Sequence, residues 1–550
     1  MTRRPWRWPM LLLLPLLLLG AVMVSRNDTP DSIPVRVDRL APGAPSADAS
    51  GSTWYCAAGS ATGVASGEGA GRADQTVIIV NLSDQVVAGV LTAVPVEGET
   101  VRRPVEVAPN ARTEVALADV VKAPWASAVV ELAGGQVAVE HAVSGPGGRS
   151  VGPCASHPSS TWYFPAGSTR AGTTMLLALF NPFPGEASVD LSFETEDGTR
   201  TPQQFQGLVL PGGRVTVVDV GAVVTLRQEI ATTVRARNGR IIAEQVLIGD
   251  GTDGSPTGLT SVLGAPAPAT DWTFPDNAAP GPGRTASVSV LNPGEVEASV
   301  EVQVFLDDPA ANGTVEPFAL TVGPKQARTV DLFADGRIPP GVGSWMLVRS
   351  TNGVPVVAER LEGGTTAAES AGLAATIGTP IVATEWLVPV ATASSLESSR
   401  LVIVNPSGSG SAVVTLRAHA GGVTRDLPGS GRVVVPAGAQ VVVSLGADGS
   451  GLEGLAVVVS ADSPVVVSRT FVFAPSGFAS SLASAVFGTE SLPVGLARPE
   501  DFLVDAPAAG PSTDAPEDVL TTIDPSAATI PPASTASTAS TASTTSATGG

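Results

Sequence analysis

The sequence predicts an all-β protein of four tandem immunoglobulin-like β-sandwich modules behind an N-terminal transmembrane helix. Three observations predict it. Four anchor motifs recur in one order along the chain. Short valine-rich runs alternate polar and apolar residues between Gly- and Asn-rich turns, and no stretch beyond the leader has the period of an amphipathic helix.

The leader comes first. Arg3, Arg4 and Arg7 precede an uncharged run from Trp8 to Val24. At 1.5 Å per residue such a run spans roughly 25 Å, near the lower limit for crossing a bilayer. The arginine excess ahead of it, against Arg26 just behind, places the N-terminus in the cytoplasm and the bulk of the chain outside. Ala21-Val22-Met23-Val24-Ser25 is a poor signal-peptidase site. Residues 1–24 therefore read as cytoplasmic arginines and an uncleaved signal-anchor, the alternative being a chain secreted after cleavage. Residues 25–51, rich in Pro, Asp, Ser and Ala, read as a linker.

The repeats follow. Trp54, Trp162, Trp272 and Trp386 open the units, 108, 110 and 114 residues apart. Each is followed by an apolar strand ending in asparagine (Asn81, Asn181, Asn292, Asn405), then by a proline turn at Pro109, Pro211, Pro324 or Pro436. A late strand carries Glu140, Glu244 and Glu359, with Ser468 in the fourth unit. Hairpin turns such as Asn238-Gly239 and Asn352-Gly353 separate strands at the rhythm of a sandwich. The modules span 52–152, 160–264, 271–378 and 385–488. The remainder, 489–550, is acidic and then rich in Ser, Thr and Ala, and reads as a disordered tail. Thr489 to Val494 looks like a degraded copy of Thr384 to Pro389, which keeps open an alternative, a β-propeller built from the repeats.

With aromatic residues at 4%, the opening tryptophans are the large side chains available to fill each core, and Trp125 and Trp345 are read as packing too. Cys56 and Cys154, the two cysteines of an exported chain, read as a disulfide. The 51 acidic against 31 basic residues give a net charge of −20, which repels phosphate backbones and excludes nucleic acid as a partner.

Catalytic chemistry has little to build on. His141, His157 and His419 form no metal-binding spacing, and His141, alternating with apolar neighbours, reads as a surface or pairing residue. No C-x-x-C, G-x-S-x-G elbow or phosphate loop occurs, and lysine stands only at Lys122 and Lys325. Asp250-Gly251-Thr252-Asp253-Gly254 lacks the further acidic positions a calcium loop needs. No cofactor and no metal are expected. A glutamate recurring at one position in three units is unsuited to catalysis and suits a repeated hydrogen bond or contact, so Glu140, Glu244 and Glu359 are contact positions.

The order Trp…Asn-Pro…Pro-Gly…Val-Ala-Glu, in tandem behind one hydrophobic anchor, resembles an actinobacterial family of secreted or membrane-anchored envelope proteins of unknown function. The resemblance covers roughly residues 50–490 and carries over no catalytic residue. It implies a cell-envelope location. The expected function is a non-enzymatic structural or interaction scaffold, held to the membrane through its N-terminal helix and facing envelope proteins. A cell-wall polysaccharide-binding array is the alternative.

Overall fold

Valine-rich runs with period-two burial become strands. Ala298–Leu306 alternates buried and half-buried side chains along its whole length, as the pleat requires. A computed structural model describes residues 40–493, apart from 65–70, 308–314, 366–370, 390–395, 421–422, 428–430, 447–455, 474–477, 483 and 487–490. The leader, the linker up to residue 39 and the tail from 494 lie outside the described residues, so the signal-anchor and most of the tail do too. Among the described residues the protein is all-β, and no helix there is long and apolar enough to cross a membrane.

The first repeat shows the plan. Strands β1 (Gly43–Ala44), β2 (Gly51–Cys56), β3 (Asp74–Asn81), β4 (Val87–Pro95), β5 (Val101–Val107), β6 (Ala111–Ala116), β7 (Ala126–Ala133), β8 (Val137–Gly145) and β9 (Gly148–Pro153) follow in order. Two sheets result, β2-β7-β4-β5 and β6-β3-β8-β9, with antiparallel neighbours throughout. Trp54 and Val130 from the first sheet and Val77 and Val139 from the second belong to one core. The second and third repeats use the same strand order. In the fourth, the long strand Ala456–Phe473 runs through both sheets and merges them. These orders are not the sequential meander of a propeller blade.

The two central strands of the second sheet in each repeat are covered on both faces, while the outer strand, β6 in the first repeat, is only half-buried. β3 and β8 show nearly unbroken burial rather than alternation. One face meets its own partner sheet and the other meets a neighbouring repeat. The last strands lie innermost: β9 packs against Thr257–Leu263, that strand against Gly372–Ile377, that against Phe478–Leu482, and the last against β9 again. The four repeats therefore close into a ring. Approach at the axis is tight enough that a Cβ at Gly258 would lie 2.4 Å from the Leu373 backbone nitrogen.

Three junctions of this ring carry a continuous chain from one repeat to the next. The fourth is made by the segment before the first repeat. Leu40 is buried in the core of the fourth repeat and Ala44 in that of the first. β1 pairs in parallel with Ser484–Val486, while the Pro45 carbonyl accepts from Gln136 N–H at 3.0 Å. Within the segment read as a linker, residues 40–50 are thus a strap laid across two repeats.

Candidate functional site

Each opening tryptophan lies inside its own repeat, at most 2% exposed. The indole N–H of Trp162, Trp272 and Trp386 donates to the carbonyls of Ile241, Val356 and Val465 at 2.8–2.9 Å, which satisfies the one polar atom of the ring. Trp54 instead donates to Ser52 Oγ at 3.2 Å. Trp125 and Trp345 serve the boundaries between repeats. Trp125 packs against the core centred on the second repeat. Trp345 stacks on Phe305 at 4.1 Å and donates to Gly438 O of the fourth repeat.

The cysteines form a disulfide, Cα–Cα 4.6 Å, fastening β2 to the segment after β9. In the next repeats the same places hold Phe164 over Gly264 and Phe274 over Gly378. A Cβ on either glycine would lie 2.7 or 2.6 Å from the ring it faces. The disulfide replaces a phenylalanine laid on a glycine. The four asparagines are buried staples. Each side-chain amide donates to a carbonyl in its own turn, at 2.7–3.0 Å, and to the carbonyl of the residue closing the strand that leads into the proline turn, at 3.0–3.1 Å.

The recurring glutamates stand at the junctions. Glu244 of the second repeat accepts from the backbone N–H groups of Ala57 and Ala58 in the first, at 3.2 and 2.8 Å. Its other oxygen lies 2.6 Å from His141 Nε2 and 2.7 Å from Ser261 Oγ. His141 is buried rather than at the surface, with Gln75 Nε2 at 2.9 Å from Nδ1; donation there leaves the ring proton on Nε2, facing Glu244. Glu359 of the third repeat accepts from Ala166 N–H of the second at 2.9 Å, and its Oε1 has no hydrogen-bond partner. Burial pushes this carboxyl up to about 8, opposed by the Ala166 N–H. Glu140 of the first repeat pairs with Arg469 of the fourth at 2.5 Å, both side chains fully buried. Burial raises Glu140 as well, against the pull of Arg469 and Arg112.

The third junction reverses the arrangement. Asp276 holds the place of Ala58 and Ala166, four residues beyond its tryptophan, and Ser468 holds the place of the glutamates. Here the acid sits on the receiving strand. Its carboxylate accepts from Arg400 at 3.2 Å and from Thr470 Oγ1, while its N–H donates to Gln440 at 3.1 Å. The departure at Ser468 is thus answered by the departure at Asp276.

Sequence reasoning passed over the residues that follow Glu244, Glu359 and Ser468. Gln245, Arg360 and Arg469 donate to Ala166 O, Pro275 O and Pro389 O of their own repeats, fixing the segment that the junction uses. The signal was a polar residue at this place inside an apolar strand in all four units, His141, Gln245, Arg360 and Arg469. Asp250, considered for calcium, closes its own turn by accepting from Thr252 N–H and Oγ1 at 2.8 and 2.7 Å. Among the described residues no group of His, Cys, Asp and Glu is arranged to hold a metal.

The model of a family of unknown function (DUF5719) matches residues 107–376, just under half of the chain. No curated protein matches. Among solved structures, Thermotoga maritima 1070 is 23% identical, covering 20% of this chain and 93% of its own, with a TM-score of 0.17. A tetra-tandem repeat from the extending region of a large adhesion protein is 12% identical, over 75% of this chain and 92% of its own, with a TM-score of 0.09.

Proposed function

We propose that the protein is a non-enzymatic scaffold of the bacterial cell envelope, a closed platform of four immunoglobulin-like sandwiches carried on an N-terminal signal-anchor. The resemblance to actinobacterial envelope proteins, the arginine-flanked leader and the family of unknown function support this reading. One observation carries it. The recurring buried carboxylates Glu140, Glu244 and Glu359, with Asp276 in their stead at the third junction, are engaged by neighbouring repeats, so they serve construction. Recognition is left to the outer surface, where envelope proteins are the expected partners.

The polysaccharide-binding alternative asks for exposed aromatic platforms. Among the described residues the exposed large apolar side chains are all valine or leucine. The two readings separate on purified cell wall with and without its proteins. The scaffold reading expects the full-length chain to be retained only when wall proteins are present. Retention on protein-free wall overturns it in favour of glycan binding.

A further inference from the structure

The fourth junction differs from the others in two independent ways. Among the described residues no crossover runs from the fourth repeat into the first: the first repeat is entered from the strap, and Ser491–Pro493 pairs with the opening strand of the fourth repeat. It is also the junction held by a fully buried carboxylate–guanidinium pair. The rest of this interface is shared with the other three in kind. Apolar residues of both repeats form one cluster, with Leu387, Ala456, Phe471 and Phe473 joining the core of the first repeat. His419 Nδ1 meets Asn110 Oδ1 at 2.7 Å, and the Arg149 guanidinium lies over the Phe473 ring at 5.6 Å.

We propose that this junction is a separable, charge-coded interface whose other partner is a second copy of the chain. A head-to-tail contact closes a ring when its partner lies in the same chain and links chains when it does not. Four similar repeats offer several wrong pairings, and a buried ion pair penalises every pairing that leaves one charge alone. Glu140 and Arg469 therefore select the first repeat as partner of the fourth. The strap keeps that choice within one molecule by anchoring Leu40 in the fourth repeat and Ala44 in the first. With the strap unseated, the fourth repeat of one copy receives the first repeat of another through the same contacts, giving a domain-swapped pair.

Charge exchange tests this in the full-length chain. Glu140→Arg sets a cation against Arg469 with Arg112 also near, and Arg469→Glu sets a carboxylate against Glu140 with only Arg112 to offset the two, so neither variant closes alone. Co-expressed with separate tags, they offer one junction with exchanged charges and one wild-type junction. The expected result is a tagged two-chain species of twice the single-chain mass by light scattering, absent when either variant is made alone. The Glu140→Arg/Arg469→Glu double variant is expected to return to a single-chain mass. If the double variant folds and the mixed variants do not associate, the proposal fails. Leu40→Asp provides a second measurement that leaves the ion pair intact. Unseating the strap is expected to bring a concentration-dependent rise to the two-chain mass. A Leu40→Asp chain that stays single at every concentration overturns the proposal by itself.

Discussion

Glu140 and Arg469, 329 positions apart in the sequence, meet at 2.5 Å with no solvent reaching either side chain. A charge desolvated this fully depends on its partner. Arg469→Met is expected to cost about 3–5 kcal/mol, because it removes the paired guanidinium and leaves the buried carboxylate only the field of Arg112. Glu140→Leu/Arg469→Met should recover most of that loss, since an apolar pair needs no compensation. Urea denaturation of the two variants checks this, and equal losses in both would show the two residues to be uncoupled.

Glu359 predicts a pH dependence. Its carboxyl titrates near 8 when folded against an ordinary value of 4.5. Between those values the folded chain holds the extra proton, so this group's contribution to stability falls as pH rises and levels off above about 8. Glu140 and Glu362 are also raised by burial and act in the same direction. Glu359→Gln keeps an acceptor for Ala166 N–H and removes the titration. Denaturation midpoints measured from pH 5 to 8 should decline less steeply in the variant than in the parent.

The disulfide and the Phe–Gly pairs are predicted to be exchangeable. Cys56→Ser/Cys154→Ser should lose about 2–5 kcal/mol. Cys56→Phe/Cys154→Gly installs the pair found at Phe164 and Gly264, and should regain part of the loss without a cross-link. Comparing both variants with the reduced parent in one chemical denaturation series distinguishes a lost tether from a lost contact.

Removal of one asparagine staple has a local cost. Asn181→Ala leaves the carbonyls of Gly185 and Leu210 without their donor, and about 1–3 kcal/mol is expected. Asn181→Asp should be at least as harmful, because a carboxylate cannot donate to either carbonyl. Hydrogen exchange should show the loss concentrated in the second repeat.

What lies within one repeat was legible in the sequence. Tryptophan, asparagine and proline-turn anchors keep their spacing because each answers to strands of its own repeat, and Cys56 and Cys154 could be paired for the same reason. Closure of the ring was not legible. Contacts such as Asn110 with His419 join distant segments, and no local periodicity encodes the angle between successive units. One available signal went unused. A sandwich sheet with a free outer face alternates, whereas VIIVN at 77–81 and VAVEHAV at 137–143 hardly do, and such runs mark a sheet buried on both sides. Asp276 escaped notice for a different reason. Its chemistry makes sense only beside Ser468, Thr470 and Arg400, which belong to another repeat.

Closure on the axis through β9 and its three counterparts also bears on how such a chain can change in evolution. An open solenoid gains or loses units freely, because its ends are indifferent to the count. Here the fourth unit must meet the first, so a duplicated or deleted unit would require every boundary to adopt a new rotation before the ring could close. Single side chains at the boundaries can change without that demand.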